Sequence, residues 1–305
     1  MGSPDFAIPS FKKIYESHHK IVAVVTQPDR PKGRGLKLQP PAVKRTAESL
    51  FITPIIQPIK LNDPQFLTQL KNLKADLYVV VAFRILPEEI FMIPPKGTIN
   101  LHPSLLPKYR GAAPIHWALI SGEKETGVTI IKITREIDAG GILLQRKLMI
   151  HDNETAGSLH DRLSVFGAQV LLEAIDLIEN EQIQVKAQDD TLATSAPKLN
   201  KEICHISFNQ PAEKVKNWIN GLSPVPAAFA YLDQKVIRFY RAIVIDSKKY
   251  NIAPGTVIQI ENGEIHISCQ PGKIAVIEMQ KEGKKRMSSE EFLRGSPLKV
   301  GEIFI

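Results

Sequence analysis

An asparagine and a histidine two residues apart could supply two functions of an active site, the stabilisation of an oxyanion and the transfer of a proton. Asn100 and His102 stand where a short apolar segment, residues 97–101, ends. Alternation along an extended segment directs both side chains to the same side. The amide can donate to a developing oxyanion, and the imidazole can move a proton near neutral pH. The pattern Asn-x-His is too short to be specific by itself, because a polar pair that closes a strand is its commoner explanation.

A carboxylate further along the chain could complete this group. Asp138 follows a segment rich in β-branched residues, 127–134, and precedes Gly140 and Gly141. We expect these glycines to allow a ligand to approach the backbone closely. A carboxylate beside an imidazole raises the pKa of that imidazole and fixes its orientation, which suits a general acid or base. An aspartate shortly before two glycines is otherwise commonly just a turn.

The elements that must position these residues alternate along the first two hundred residues. Short apolar runs separate helix-period segments, a pattern typical of a parallel sheet covered on both faces. We therefore predict an α/β fold with a Rossmann-like, doubly wound, mostly parallel sheet. Ligands of such sheets bind outside the carboxyl ends of the strands, where Asn100 and His102 stand. The predicted strands are 21–26, 53–57, 75–82, 97–101 and 127–134, and the predicted helices are 42–51, 64–73, 114–121 and 156–179.

The start of the chain interrupts this alternation. Residues 1–5 read as the turn that leaves a strand and enters a helix, with Phe11, Ile14 and Tyr15 on the buried face of that helix. The strand itself is absent from the given sequence, which a start codon assigned too late would explain. If the loss is real, its two neighbours in the sheet lack a partner, which is costly for buried backbone groups.

The last hundred residues have a different character. Residues 186–202 are polar and irregular and indicate a linker, so we predict domains at 1–185 and 203–305. The second domain combines a helix at 212–220 with short strands at 228–232, 236–245, 256–260, 264–269 and 273–278, which indicates a small OB-like β-barrel. Ser288 and Glu291 predict a capping box for a last helix that ends near Gly295.

Composition limits the class of protein and the compartment to which the chain could belong. It has 305 residues and a net charge of +7. Its apolar runs fall short of the roughly 18 residues of a membrane span, and its start lacks the pattern of a secretory signal. Two distant cysteines, Cys204 and Cys269, fit a cytoplasmic protein without disulfides. The histidines lack metal-ligand spacing, so we expect no required metal.

A basic loop suggests an anionic partner. Residues 29–44 hold five cationic side chains among glycines and prolines: Arg30, Lys32, Arg34, Lys37 and Lys44. Such a loop is commonly just solvated. Lysine and arginine contacts to phosphate nevertheless supply most sequence-independent nucleic-acid affinity, so the loop favours a nucleic-acid partner.

Taken together, these segments resemble the formyltransferases that use 10-formyltetrahydrofolate, and within them those that act on methionyl-tRNA. The resemblance covers nearly the whole chain. Asn-x-His with a distant aspartate is common to that superfamily, whereas the basic loop and the segment 196–199 are narrower signals. The segments that carry it are 2–7, 27–35, 100–107, 111–114, 125–129 and 196–199.

The resemblance implies formyl transfer from 10-formyltetrahydrofolate to the α-amino group of methionine on initiator tRNA. Asn100 would stabilise the oxyanion, His102 would shuttle protons, and Asp138 would orient or support His102. The formyl donor would contact Ser104, Leu105, Leu106, Pro107, Ala82, Phe83 and Ile85. The tRNA would contact Arg30, Lys32, Arg34, Lys37, Lys44, Lys198 and Lys201. The resemblance also implies a monomer. At residues 82–84 the sequence Ala-Phe-Arg departs from the Ala-Tyr-Gly that is common in the family.

Two alternatives stay open. The chain could formylate a small amine, such as glycinamide ribonucleotide or a nucleotide amino-sugar, although those relatives lack this basic loop joined to this C-terminal barrel. It could also be a catalytically inactive tRNA-binding protein.

Overall fold

The computed structural model describes residues 1–32 and 37–305, and at Lys32 and Lys37 it describes the backbone alone. The chain divides into two compact units. The N-terminal unit comprises Met1–Gly111, Thr126–Leu148 and His160–Ser195. The C-terminal unit comprises Ala112–Glu125, Met149–Leu159 and Ala196–Ile305. The linker at 186–202 and the domain limits drawn from the sequence stay predictions.

The predicted helices agree closely with those of the structure, which also has two short helices, Glu88–Phe91 and Lys201–Cys204, that were not predicted. Within the described ranges, none is both long and apolar enough to cross a membrane. They are α1 (Ile8–Tyr15), α2 (Ala42–Ser49), α3 (Pro64–Asn72), α4 (Glu88–Phe91), α5 (Pro114–Ile120), α6 (Ala156–Glu179), α7 (Lys201–Cys204), α8 (Ala212–Leu222) and α9 (Ser289–Gly295).

The strands of the N-terminal unit are mostly shorter than their apolar runs. They are β1 (Val24–Val25), β2 (Arg30–Lys32), β3 (Lys37–Gln39), β4 (Ile55–Ile56), β5 (Tyr78–Val81), β6 (Thr98–His102), β7 (Arg110–Gly111), β8 (Glu125–Lys132) and β9 (Ile142–Met149). The remaining strands are β10 (Ser195–Ala196), β11 (Ala228–Leu232), β12 (Lys235–Asp246), β13 (Val257–Glu261), β14 (Glu264–Ser268), β15 (Lys273–Lys281) and β16 (Met287–Ser288).

The sheet of the N-terminal unit confirms the α/β prediction. Four strands follow the order β5-β6-β8-β9, while β1 and β4 form a separate parallel pair. The pair β5 and β6 is parallel, whereas β8 runs antiparallel to β6. The sheet is therefore mixed, and its strand β9 was not predicted from the sequence.

Helix α3 illustrates how local sequence builds the layer that covers this sheet. The Asp63 carboxylate accepts a hydrogen bond from Gln65 N and caps the first turn, in which Pro64 tolerates its missing N–H. Phe66 and Leu70, four residues apart, lie on one face of the helix. Both are buried in one apolar cluster with side chains of β5. Capping and spacing together fix which face of α3 meets the sheet.

The start of the chain lies between β1 and β5. The Met1 amine donates to Val79 O (2.6 Å), Val81 N donates to Met1 O (2.9 Å), and Gly2 N donates to Val25 O (3.0 Å). Residues 1 and 2 thus form the end of a strand position between the two separate groups of strands. The helix α1 follows as expected, but the prediction that Tyr15 is buried is wrong, because 46% of its surface is exposed.

The C-terminal unit is an antiparallel, barrel-like sheet with the strand order β11-β12-β15-β14-β13. Its edge strands are linked by the end of the chain: Val257 N donates to Glu302 O (2.8 Å), and Tyr231 and Ile305 exchange two backbone hydrogen bonds (2.6 and 2.9 Å). Such closure removes exposed sheet edges. The predicted capping box of Ser288 begins α9.

Candidate active site

His102 is the last residue of β6 and is buried, with 4% of its surface exposed. Its Nε2 atom lies 2.8 Å from the backbone carbonyl oxygen of Tyr109. A carbonyl oxygen only accepts hydrogen bonds, so Nε2 carries the proton of the neutral ring. The lone pair of the neutral imidazole is consequently on Nδ1. His102 is thereby oriented to accept a proton at that atom.

Asp138 faces this nitrogen. One of its carboxylate oxygens, Oδ2, lies 3.6 Å from His102 Nδ1 and accepts a hydrogen bond of 2.9 Å from Gly111 N. Asp138 has a positive φ of 54°, in the left-handed region that non-glycine residues adopt uncommonly. The structure thus places Asp138 beside His102, as the sequence led us to expect.

The charge state of His102 is set by two opposed effects. Burial lowers its pKa, while the negative charge of Asp138 and the hydrogen bond to the Tyr109 carbonyl raise it. The net effect is a pKa below the ordinary value, so the ring is neutral at neutral pH. The sequence-based expectation has the correct sign for Asp138, but burial outweighs that contribution. A neutral ring with a free lone pair on Nδ1 suits a proton acceptor.

Asn100 lies two residues before His102 on the same strand. Its backbone pairs with Val80 of β5 on one side and Ile131 of β8 on the other. This central position fixes the side-chain direction, so Asn100 and His102 share one face of β6. Asn100 is half-buried. Its amide can donate hydrogen bonds on the same face of the sheet as the imidazole.

The glycines after Asp138 serve packing within the protein. A Cβ atom on Gly140 would lie 1.7 Å from Lys132 O, and one on Gly141 would lie 2.3 Å from a Val185 methyl group. Lys132 N also donates to Gly141 O at 3.0 Å. The close approach that was expected for a ligand is therefore made by β8 and by Val185.

The turn after His102 is tied to the neighbouring strands by polar contacts. Thr129 Oγ1 donates to Ser104 O (2.7 Å) and accepts from Leu106 N (3.1 Å). Gln145 Nε2 donates to Leu106 O (2.9 Å). Ser104 and Leu106 are buried, whereas Leu105 and Pro107 are half-buried. This turn is thus held rigidly beside His102.

The segment after β5 carries the other residues predicted to bind the formyl donor. Ala82 is exposed with a φ of 49°, Phe83 is half-buried, and Ile85 is 71% exposed. Arg84, at the position of the family's glycine, donates to Pro58 O (2.7 Å) and lies 5.4 Å from the centre of the Phe83 ring. An apolar surface is therefore accessible here, and Arg84 is held by the backbone beside it.

Comparison with known proteins identifies the family. The family model "Formyl transferase" matches residues 2–175, and the model "Formyl transferase, C-terminal domain" matches residues 198–297. The chain belongs to the formyl transferase family. The resemblance seen in its sequence motifs is thereby confirmed.

Curated members of the formyl transferase family resemble the chain over its whole length. A methionyl-tRNA formyltransferase of Pelotomaculum thermopropionicum is 43% identical over 302 residues, which cover 99% of this chain and 96% of the relative. One from Geobacter sulfurreducens is also 43% identical and covers 99% and 94% of the two chains.

Solved structures share the fold at lower identity. WlaRD, a sugar 3N-formyl transferase, has a TM-score of 0.69 at 19% identity and covers 93% of this chain and 97% of that chain. HypX from Aquifex aeolicus in complex with tetrahydrofolic acid has a TM-score of 0.58 at 20% identity, covering 80% of this chain and 44% of that chain. These structures support the formyl transferase fold alone.

Sequence reasoning missed several groups that hold Asp138 in place. Gln188 Nε2 donates to Asp138 O (2.8 Å) and to Gly140 O (2.7 Å), and its Oε1 accepts from Arg110 Nε (3.1 Å). Gln188 falls in the segment predicted to be a linker, where a polar residue gives no signal. Gly111 belongs to a family motif, but its N–H bond to Asp138 depends on the tertiary fold.

The cationic residues predicted to bind tRNA lie in different settings. Arg30 is exposed on the β2–β3 hairpin, whereas Lys44 Nζ bonds to both oxygens of Asp29 (2.9 and 3.0 Å). Lys198 and Lys201 are exposed on the C-terminal unit. Arg34 lies outside the described residues, as do the side chains of Lys32 and Lys37.

Two histidines outside the Asn100–His102 site meet carboxylates of α6. His18 Nε2 lies 2.9 Å from Glu179 Oε2, and His19 Nε2 lies 2.7 Å from Asp176 Oδ1. Potential ligand atoms of these four side chains all lie within 4.8 Å of one another, so they could hold a metal ion. Sequence spacing did not reveal this group, because the two halves come from opposite ends of the N-terminal unit.

Proposed function

We propose that the chain transfers a formyl group from 10-formyltetrahydrofolate to the α-amino group of methionine carried by initiator tRNA. The observation that carries the proposal is its 43% identity, over 99% of the chain, to methionyl-tRNA formyltransferases. The sugar 3N-formyl transferase WlaRD, by contrast, shares the fold at 19% identity. The family relation supports transfer of a formyl group, and the full-length identity favours a charged tRNA as acceptor.

In the proposed reaction the amine nitrogen attacks the formyl carbon. A C–N bond forms, the oxygen becomes an oxyanion, and the bond from that carbon to the donor nitrogen then breaks. The amine loses one proton and the departing nitrogen gains one. The protein must therefore stabilise the oxyanion and carry a proton.

Three residues fit these tasks. Asn100 would donate its amide hydrogen to the oxyanion. His102 would take the amine proton at Nδ1 and return it to the departing nitrogen. Asp138, 3.6 Å from Nδ1, would stabilise the imidazolium that forms in between. Asn100 and His102 are thus proposed catalytic residues, and Asp138 is a positioning residue.

The formyl donor would bind along the two segments that end near this site. Ser104, Leu105, Leu106 and Pro107 form a rigid turn directly after His102, as a precisely held substrate requires. Ala82, Phe83 and Ile85 present an apolar surface that suits a planar ring. Arg84 introduces a cation where the family has glycine, so this part of the pocket would differ from that of its relatives.

The acceptor tRNA would contact both units. In the N-terminal unit we propose contacts from Arg30, Lys32, Arg34, Lys37 and Lys44. Lys198 and Lys201 of the C-terminal unit would add two further contacts. Both lie in the proposed linker at 186–202, which precedes the proposed C-terminal domain at 203–305. The chain would act as a monomer in the cytoplasm, where charged tRNA occurs.

The identity of the acceptor is tested by comparing three acceptors under the same conditions. The purified chain is assayed with 10-formyltetrahydrofolate and methionyl-initiator tRNA, glycinamide ribonucleotide or a nucleotide amino-sugar. We expect formylation of the charged tRNA. Turnover of the small amines alone would overturn the proposed acceptor.

Catalysis is separated from binding by His102→Ala. We expect a loss of rate of about a hundredfold or more, the range typical of a general acid or base, with tRNA affinity retained. A variant that formylates at the normal rate would remove His102 from the mechanism and favour the alternative of an inactive binding protein.

A further inference from the structure

Four side chains that bear metal-binding atoms meet where helices α1 and α6 end. His18 and His19 lie in the bend after α1, and Asp176 and Glu179 lie in the last turn of α6. His18 Nε2 lies 2.9 Å from Glu179 Oε2, and His19 Nε2 lies 2.7 Å from Asp176 Oδ1. Each side chain offers one ligand atom, and the four atoms all lie within 4.8 Å of one another. We call these four residues the α1–α6 cluster.

Local structure holds both halves of the α1–α6 cluster. Ser17 Oγ donates to Ile14 O (2.6 Å) and accepts from His19 N (3.2 Å), which fixes the bend that carries the two histidines. The centres of the two imidazole rings lie 4.1 Å apart. Residues three apart on a helix lie on one face, so Asp176 and Glu179 face the bend together. The backbone therefore brings all four side chains to one place.

The charge at this end of α6 favours a cation. Unpaired carbonyl groups at the carboxyl end of a helix carry partial negative charge, to which carboxylates in the last turn add. Lys96 Nζ donates to Ile178 O at 3.4 Å, so one cationic side chain already contacts this end. The hydrogen bond to Glu179 raises the pKa of His18, which reflects the same preference for positive charge. A divalent cation would neutralise both carboxylates of the cluster at once.

The distances fit a four-coordinate zinc ion. Zinc binds imidazole nitrogen and carboxylate oxygen at about 2.0–2.2 Å in a tetrahedron, which places neighbouring ligand atoms about 3.3–3.6 Å apart. The two close pairs are slightly shorter than this, and every other separation stays within 4.8 Å. Each ligand atom would therefore move by less than about 1 Å to bind the metal. His18 and Glu179 are exposed, so their side chains have room for that movement.

We propose that the α1–α6 cluster is a zinc site, which ties the bend after α1 to the end of α6. Two imidazoles and two carboxylates suit zinc, whereas calcium and magnesium prefer oxygen ligands alone. Four protein ligands leave no open position for a substrate, which is typical of structural zinc sites. The zinc ion would therefore stabilise the fold and take no part in catalysis.

The α1–α6 cluster lies at the opposite end of the sheet from the proposed catalytic residues. Lys96, whose side chain reaches Ile178 near the end of α6, stands two residues before β6 begins. His102 is the last residue of the same strand. The end of α6 thus meets the amino end of β6, while the Asn100–His102 site lies at its carboxyl end. Zinc binding can therefore be tested independently of the proposed formyl transfer.

The test titrates zinc into the full chain, by calorimetry, after a chelator has removed bound metal. His18→Ala and Asp176→Asn each remove one ligand, from the two halves of the cluster, and His151→Ala removes an exposed histidine elsewhere as the matched control. We expect one zinc ion per chain, bound equally well by His151→Ala. Each ligand variant should bind zinc about tenfold or more weakly, because even the loss of a group that only supports a ligand costs about 10–100-fold.

The melting temperature is a second readout that does not depend on enzymatic activity. A ligand that binds only the folded chain raises its melting temperature. Zinc should therefore raise the melting temperature of the chain and of His151→Ala, and it should raise that of the two ligand variants much less. Magnesium at the same concentration should have no such effect, because it prefers oxygen ligands. Equal zinc affinity in the chain and in both ligand variants, or a magnesium effect as large as that of zinc, would overturn the proposal.

Discussion

The chemistry proposed for His102 depends on which of its ring nitrogens is free. The Tyr109 carbonyl holds the Nε2 hydrogen, so proton uptake falls to Nδ1. The distance of 3.6 Å to Asp138 is too long for a hydrogen bond, so the carboxylate acts on Nδ1 through its charge. Burial lowers the pKa of His102 and Asp138 partly restores it. Together, the two effects leave the His102 ring neutral and still able to accept a proton transiently.

These opposed effects predict the pH dependence of the reaction. If neutral His102 is required, kcat/KM should fall as the pH drops through the pKa of the ring, in addition to the separate fall at higher pH that protonation of the attacking α-amino group causes, whose ordinary pKa is about 7.7–8.0. Because burial lowers the pKa of the ring, the lower midpoint should lie below about 6.5, the ordinary value for histidine. In Asp138→Asn, loss of the carboxylate removes a raising effect, so the midpoint should move to still lower pH. The variant should also lose kcat, because its imidazolium is less stable.

The measurement is kcat/KM for methionyl-tRNA across the acid range, in the chain and in Asp138→Asn. Asparagine keeps an oxygen that can accept from Gly111 N, so the loop should retain its position. Urea unfolding of both proteins at neutral pH serves as the control for loop position. A midpoint that rises or stays unchanged in the variant would contradict the proposed role of Asp138.

At the scale of elements, local periodicity predicted most of the fold. Segments with helical spacing became helices α2, α3, α6 and α8, and the β-branched run at 127–134 became most of β8. The antiparallel direction of β8 was not predicted, because apolar content does not encode strand direction. Strand β9 was missed because Gln145 and Arg146 interrupt its apolar pattern. The exposure of Tyr15 depends on what packs against α1, which a spacing rule does not contain.

The site was predictable to the extent that it is local. Side chains alternate between the two faces of a strand, so Asn100 and His102, two residues apart, lie on one face of β6. The apolar pattern of β6 identifies it as a strand. The hydrogen bonds that fix Asp138 come from Gly111 and Gln188, which are 27 and 50 residues away along the chain. The direction in which the pKa of His102 is shifted depends on burial, which is a property of the folded chain. Contacts of this kind leave no local pattern to read.

The loop that carries Asp138 should be intolerant of any side chain at Gly140. A Cβ atom there would lie 1.7 Å from Lys132 O, a backbone atom of β8 that has little freedom to move. We expect Gly140→Ala to lower the free energy of unfolding by about 1–3 kcal/mol or more, the usual cost of overpacking. It should also lower kcat/KM, because the loop carries Asp138.

A matched glycine to alanine change is available at Gly295, where a Cβ atom would meet no atom within 4 Å. We expect Gly295→Ala to change the unfolding free energy by less than about 1 kcal/mol. Urea unfolding of the two variants under the same conditions makes the comparison. Equal stabilities would show that the close packing of Gly140 against β8 is not required.

At the scale of the whole molecule, charge is the property most relevant to a tRNA partner. The net charge of +7 attracts a polyanion over distances longer than any single contact. Lys44 is paired with Asp29, so part of the positive charge of the basic loop is already neutralised. Arg30 is exposed on the same loop. The contribution of a side chain to tRNA binding should therefore depend on its place and pairing as well as on its charge.

A positively charged chain that binds tRNA should respond to salt. If cationic side chains contact phosphates, kcat/KM for methionyl-tRNA should fall steeply with ionic strength, because binding releases counterions. Removing one phosphate contact lowers the slope of log kcat/KM against log salt by about 0.7–0.9. We expect this change in Arg30→Ala. Lys71→Ala, which removes an equal charge from the exposed last turn of α3, should leave the slope unchanged. Equal slopes of log kcat/KM against log salt for the chain and both variants would exclude Arg30 from the phosphate contacts. A kcat/KM that does not change with salt in any of the three would exclude electrostatic binding of tRNA.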